Sequence, residues 1–272
     1  MYRLIASDLD ETLIMKDRTV CRENIEAIKK LKDLGVYFVC ATGRPFFTAY
    51  GTLKELGQYE EEGQYVISFN GGAITENKGD RLIHFEGITF DQANELYKRG
   101  MQYNVCQHVY TKDTVYVYNI NPDEVAYLDN RQEFTEIHEK DLEFLRGQDI
   151  VKCLYENTDH EYLRSIASQL TDITDDMDVS YSSNRYLEFN KLGVNKGAGL
   201  LRLAEILGID PKDTIAIGDN YNDLSMIKAA GLGVGVANTI ESMKPECDFI
   251  TERDCDHGAV AEVIEKFILS RI

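Results

Sequence analysis

The sequence predicts an α/β protein: a parallel sheet assembled from both ends of the chain, with an α+β segment inserted between them. Two patterns carry this reading. At the ends, short apolar runs alternate with stretches of helical period, the rhythm of βαβ units. In the middle, alternating runs lie only three residues apart. Such short links suit antiparallel hairpins, because a parallel crossover needs a dozen residues or more.

Taken in order, residues 3–8 read as a strand, 23–34 as a helix stopped by Gly35, and 36–41 as the next strand. Pro45 is suited to a first helical turn and opens another helix; residues 65–69 form an apolar run that ends in Asn70-Gly71-Gly72. The hairpin pairs are 105–110 with 114–119, and 179–182 with 186–189 around Ser183-Asn184-Arg185. Helical patterns at 91–103, 122–134 and 159–170 lie between them. The α/β rhythm resumes with a helix from Asn195-Lys196-Gly197 to Leu207, a strand at 214–218, a helix at 222–230, a strand at 233–236 and a closing helix at 259–269. The expected division is therefore 1–83 with 188–272 as one domain and 84–187 as the other. Ten of the 16 tyrosines fall in the inserted part. Aromatic residues are ordinary strand formers, which favours a packing role over an aromatic wall facing a ligand.

Composition narrows the function. Twenty-nine Lys and Arg stand against 47 Asp and Glu, a formal net charge of −18 with a pI near 4.7. That balance repels phosphate backbones and anionic lipid, so neither nucleic acid nor a membrane is expected as a partner. With 43% hydrophobic residues the chain can bury a large core. No apolar run approaches the ~20 residues of a membrane span, and no signal peptide is read at the start. Six scattered cysteines without a CxxC pair fit idle thiols in a reducing cytoplasm, rather than a zinc ribbon or a redox motif.

Two strands run straight into carboxylates. Leu4-Ile5-Ala6-Ser7 delivers Asp8-Leu9-Asp10-Glu11-Thr12, and Thr214-Ile215-Ala216-Ile217-Gly218 delivers Asp219-Asn220-Tyr221-Asn222-Asp223. Open α/β sheets place ligands at the carboxyl ends of their strands, and two acidic ends on one parallel sheet can converge. Hard oxygen ligands without His or Cys suit Mg²⁺, which normally keeps waters and is completed by substrate phosphate. An EF-hand calcium loop is excluded by the missing glycine and distal glutamate. A phosphoryl group at such a metal needs donors on its other oxygens. Thr42-Gly43-Arg44-Pro45 offers a hydroxyl and free N–H groups before a helix, and Lys196 offers a cation in the first turn of another.

With Asp/Asp, Thr, Lys and Asp/Asn/Asp in that chain order, the sequence resembles the haloacid dehalogenase superfamily, and more narrowly its Cof-type hydrolases with a type IIB cap. The DxDxT motif falls on Asp8, Asp10 and Thr12, the threonine motif on Thr42-Gly43-Arg44, the lysine motif on Lys196, and the GDxxND motif on Gly218 through Asp223. The resemblance implies a Rossmann-like core, an α+β cap, and Mg²⁺-dependent hydrolysis of small phosphorylated metabolites, with sugar phosphates as the default. It implies Asp8 as nucleophile, Asp10 as acid and then base, and Mg²⁺ held by Asp8, the Asp10 main-chain carbonyl and Asp219. Thr42, Lys196, Asn222 and the N–H groups of Leu9 and Gly43 would cradle the phosphoryl oxygens. Asp223 would support Lys196 or a metal-bound water, and Arg44 and Asn70 are further candidates for substrate contact. One departure is Glu11, where many members carry glycine; a side chain there disfavours positive φ.

Other phosphatase chemistries fit less well. Cys247 and Arg253 match a Cys-x5-Arg spacing, but the loop between them has no glycine and carries Asp248 and Glu252, which repel phosphate. There is no Arg-His-Gly motif and no Walker loop. A phosphotransferase or phosphomutase would use the same Asp8 intermediate. A phospho-aspartate switch is disfavoured by roughly 100 inserted residues able to close over a small molecule, and by the acid at Asp10.

Overall fold

The computed structural model describes residues 1–129 and 131–271. Chain contacts divide them into two compact units, Met1–Phe85 with Asn195–Ile272, and Glu86–Val194.

The first unit opens with β1 (Leu4–Ser7), α1 (Arg22–Asp33), β2 (Tyr37–Ala41), α2 (Tyr50–Leu56), β3 (Tyr65–Ser68), β4 (Ala73–Glu76) and β5 (Arg81–Phe85). The inserted unit holds α3 (Phe90–Gly100), β6 (Cys106–Thr111), β7 (Val115–Tyr118), α4 (Pro122–Leu128), β8 (Thr135–Ile137), β9 (Ile150–Glu156), α5 (His160–Gln169), α6 (Thr171–Thr174), β10 (Met177–Ser182) and β11 (Tyr186–Lys191). The chain then returns to the first unit with α7 (Lys196–Leu207), β12 (Thr214–Gly218), α8 (Leu224–Ala229), β13 (Leu232–Gly235), β14 (Phe249–Ile250) and α9 (Ala259–Phe267).

The first sheet has eight strands in the order β14-β13-β12-β1-β2-β3-β4-β5. From β14 to β3 all pairings are parallel. Both β1 and β12 are buried along their whole length, as continuous apolar runs must be when helices cover both faces. Alternation along the strands divides the core. Ile5, Phe38 and Cys40 pack with residues of α1, α2 and α9, while Leu4, Ala6, Val39 and Ala41 pack with residues of α7 and α8. Chain direction across the sheet reverses between β1 and β12, so the crevice at their carboxyl ends is the switch point where such sheets bind ligands.

Beyond β3 the sheet departs from the expected parallel pattern. β4 and β5 add antiparallel strands, joined by short connections that allow only that direction. The inserted unit spans 86–194 against the expected 84–187: β5 reaches Phe85 in the first sheet, and β11 runs on to Lys191 in the second. The second sheet is ordered β10-β11-β9-β6-β7-β8, with the two expected hairpins antiparallel. The helix expected over 122–134 stops at Leu128, and Thr135-Glu136-Ile137 instead pairs in parallel with β7.

Strand β9 has no counterpart in the sequence pattern, although it lies between β11 and β6 and every one of its residues is buried. Its charged residues face the side of the sheet away from Leu187 and Phe189. There Lys152 Nζ meets Glu188 at 2.5 Å, and Glu156 meets Arg185 at 3.0 Å. The same face carries His108 and Tyr186, both pointing at Glu124 of α4, at 3.2 and 2.6 Å. The other face is apolar and packs on α3 and α5.

Helix α7 joins the core to the site, since its first residue is Lys196 while Leu200, Leu203 and Ala204 are buried against the sheet. Leu203→Ala should therefore cost about 2–5 kcal/mol, the usual range for emptying a buried leucine site. Chemical denaturation compared with the parent protein measures it, and a loss below about 1 kcal/mol would contradict the packing described.

Candidate active site

Asp8 stands at the end of β1, its N–H donating to Ile217 O of β12 at 2.9 Å. That ladder bond draws the two acidic strand ends together. Asp219 follows β12 directly, and the Oδ1 atom of its carboxylate accepts from Thr12 Oγ1 at 2.9 Å. Asp223 closes the short turn after β12: its Oδ2 accepts from the N–H groups of Asp219 and Asn220 at 2.9 and 3.1 Å. Its Oδ1 accepts from Lys196 Nζ at 2.6 Å, and Lys196 donates through a further short contact to Asp8 Oδ1. Lys196 is fully buried, 0% exposed.

Lys196 reaches this position because of how α7 begins. The Asn195 side chain caps the helix by accepting from Ala198 N at 2.9 Å. Gly197 N donates to Ser225 Oγ of α8 at 3.0 Å.

Burial works against every charge here. It pushes Asp8 up to about 7, opposed by Lys196 and reinforced by Asp223 and Asp219. Asp219 is likewise raised to about 7 by burial and by Asp223, with the Thr12 hydroxyl opposing. For Lys196, burial disfavours the ammonium, but Asp223 and Asp8 outweigh it and hold the pKa above the usual lysine value. Three buried carboxylates thus stand beside one buried ammonium, which bonds two of them, Asp8 and Asp223.

A divalent cation suits this imbalance. Ligand oxygens of Asp8, Asp219 and Asp223 lie within 4.8 Å of one another, all on buried residues. Among the described residues the Oδ2 atoms of Asp8 and Asp219 accept no hydrogen bond, leaving one oxygen of each for a ligand. The donor set is all hard oxygen, which fits Mg²⁺.

The remaining expected residues occupy the rim. Asp10 is exposed and its Oδ1 accepts from Arg44 Nη2, so Arg44 is engaged with a carboxylate of the same site. Thr42 is buried, and its hydroxyl accepts from Arg44 N at 3.1 Å. Gly43 lies against Asn70: a Cβ at Gly43 would stand 3.0 Å from Asn70 Oδ1. The Leu9 side chain is buried, and its carbonyl accepts from Ile14 N at 2.8 Å, which curls the chain after Asp8. Asn222 is exposed and its side chain makes no hydrogen bond among the described residues, so the structure does not join it to the Asp8, Lys196, Asp219 and Asp223 cluster. Glu11 adopts φ +57 despite its side chain, and Asn238 Nδ2 holds its carbonyl at 2.7 Å. Sequence reading left Asn238 and Ser225 without a role. Thr12 was visible as the end of the first acidic motif, but not its bond to Asp219.

A family model described as haloacid dehalogenase-like hydrolase matches residues 5–264. The chain is 30% identical over 268 residues to the 5-amino-6-(5-phospho-D-ribitylamino)uracil phosphatase YcsE of Bacillus subtilis strain 168, covering 98% of this chain and 96% of that protein. It is also 30% identical over 267 residues to the phosphoglycolate phosphatase of Methanobrevibacter smithii, covering 97% and 98%. A solved haloacid dehalogenase-like hydrolase from Bacteroides thetaiotaomicron superposes with a TM-score of 0.84 at 29% identity, over 98% of this chain and 100% of that one. The chain belongs to the haloacid dehalogenase-like hydrolases. Within them it is a Cof-type phosphatase, a hydrolase of phosphate esters, with a type IIB cap. No helix of the described residues is long and apolar enough to cross a membrane.

The raised acids make stability depend on pH. Asp8 and Asp219 hold their protons more tightly when folded than when unfolded, so between about pH 4 and about pH 7 the folded state binds the extra protons and stability falls as pH rises. In chelator, the melting temperature should drop across that interval, and Asp219→Asn, which cannot ionise, should drop less. Equal slopes for parent and variant would contradict the burial of Asp219 as an acid.

Proposed function

We propose that this protein is a Mg²⁺-dependent phosphatase of small phosphorylated metabolites, sugar phosphates foremost, that works through an aspartyl-phosphate on Asp8. The observation that carries the reading is the buried Lys196 ammonium shared by Asp8 and Asp223 beside Asp219, at the switch point of the sheet. YcsE, by its name, acts on a phosphorylated ribityl compound, which supports a small alcohol phosphate as substrate.

In the first step an oxygen of Asp8 attacks phosphorus, and the bond to the leaving alcohol oxygen breaks. The Asp10 carboxyl gives that oxygen its proton. In the second step the Asp10 carboxylate takes a proton from water, whose oxygen attacks phosphorus and releases phosphate and free Asp8. Lys196 opposes the protonation that burial favours at Asp8 and holds its carboxylate in place, and Asp223 keeps Lys196 in place. The phosphoryl oxygens are assigned to the Thr42 hydroxyl, the Lys196 ammonium, the Asn222 amide and the N–H groups of Leu9 and Gly43. Arg44 and Asn70 remain candidates for contact with the rest of the substrate; Arg44 must then loosen its pair with Asp10, which frees Asp10 for proton transfer. Mg²⁺ would be held by Asp8, the Asp10 carbonyl and Asp219, and when bound it supplies positive charge against the dianionic ester. The reaction is set in the cytoplasm, in keeping with six free cysteines, five of them buried.

Phosphate release across a panel of sugar phosphates, with Mg²⁺ and then with chelator, tests the reading; activity should be nearly nil in chelator. Asp10→Asn should slow the single-turnover phosphorylation of Asp8 for a sugar phosphate by about 10²- to 10⁴-fold, and far less for p-nitrophenyl phosphate, whose leaving group needs no proton. Full activity in chelator, or equal losses for the two esters, would overturn the corresponding assignment.

A further inference from the structure

The two halves of the phosphoryl cradle are the Thr42-Gly43-Arg44 turn and Lys196 at the head of α7. One short turn, Phe69-Asn70-Gly71, touches both. On one side it is bonded to the threonine turn along the backbone: Phe69 N donates to Arg44 O at 3.1 Å and Asn70 N to Thr42 O at 2.9 Å. Just before it, Ile67 O accepts from Thr42 N at 2.8 Å. On the other side it presses on the first turn of α7. A Cβ placed on Gly71 would overlap the Asn195 carbonyl oxygen, and would stand 2.9 Å from the carbonyl carbon and 3.3 Å from Gly199 N. That carbonyl is already engaged, since it accepts from Gly199 N at 3.1 Å to close the first helical turn around Lys196. The approach is backbone to backbone from both sides: a Cβ on Gly199 would lie 2.9 Å from Gly71 Cα and 2.7 Å from Ile67 Cγ2. Such closeness is possible only where neither residue has a side chain.

We propose that Gly71, meeting Gly199, is a positioning residue of the active site: the turn it ends is the spacer that sets the separation between the Thr42 hydroxyl and the Lys196 ammonium. The proposal rests on the phosphatase reading above. Asn70 serves it through its backbone, in a left-handed conformation at φ +55. Any side chain on Gly71 must shift the Asn195 carbonyl and with it Lys196, which has no slack because its ammonium is fully buried between Asp8 and Asp223.

The chain contains its own control. Gly71 sits at φ +96 and Gly208, at the far end of the same helix, at φ +63, so alanine is strained at both. Nothing lies within 4 Å of a Cβ at Gly208, however. Gly199 is helical, so alanine there brings the same intrusion with no left-handed strain.

The test compares Gly71→Ala, Gly199→Ala and Gly208→Ala in the full chain, each at a temperature where it is folded. Gly208→Ala should lose melting temperature but keep kcat. Gly71→Ala and Gly199→Ala should each lose about 10²-fold in kcat, the scale of a misplacement near 1 Å. In crystal structures of both variants, Lys196 Nζ should have left Asp8. Should the parent itself hydrolyse no phosphomonoester, the phosphatase reading fails, while the crystal structures still decide the spacer role. Retention of parental kcat by Gly71→Ala and Gly199→Ala, with Lys196 unmoved, would overturn the proposal; so would a loss in Gly208→Ala equal to theirs.

Discussion

A lysine ammonium sealed from water between two carboxylates is the constraint on which this site depends. Removing such ions from water costs several kcal/mol each, and is offset only when partners are close and well directed. Lys196 meets that condition with Asp223 at 2.6 Å and with Asp8. Breaking either pair leaves an uncompensated buried charge, a loss of about 3–5 kcal/mol in comparable cases. Chemistry and stability are therefore coupled at one side chain: the contact that opposes protonation of Asp8 also keeps the buried cluster tolerable.

The fold meets this constraint by topology. Asp8 and Asp219 end adjacent parallel strands, so their separation follows from the β1–β12 register, in which Ser7 is opposite Ile217. Lys196 comes from the other side of the inserted unit in sequence, 188 positions from Asp8, and is delivered at the N-terminal end of a helix laid on the sheet. A helix N-terminus also favours anions through its free N–H groups and dipole. Bringing that terminus to the strand ends requires unusually close packing, which explains Gly197 against Ser225 of α8 and Gly199 against Gly71.

Much of this was legible in the sequence, for physical reasons. Leu4-Ile5-Ala6-Ser7 and Thr214-Ile215-Ala216-Ile217-Gly218 are too apolar to be anything but buried strands, and the acids that follow them had to emerge at the strand ends. What escaped was set by partners distant in the chain. Strand β9 was hidden because Lys152 and Glu156 break its apolar pattern; they are buried against Glu188 and Arg185, 36 and 29 positions away, which neutralise them. The bond from Thr12 to Asp219 spans 207 positions, and the pairing of Arg44 with Asp10 spans 34. Glu11 was expected to resist positive φ, yet adopts it, because Asn238 grips its carbonyl from a loop more than 200 residues downstream. Local pattern reports burial well; it cannot report which distant side chain makes an unfavourable local choice tolerable.

At the centre of this account Asp8, held by Lys196, is the nucleophile that becomes phosphorylated. Enzyme quenched in acid during turnover of a sugar phosphate with Mg²⁺, then digested and mapped by mass spectrometry, measures this directly. The expected result is a phosphoryl adduct on the peptide bearing Asp8, lost when the sample is treated with hydroxylamine, and absent in Lys196→Met. An adduct on a peptide that lacks Asp8, or an undiminished Asp8 adduct in Lys196→Met, would contradict it.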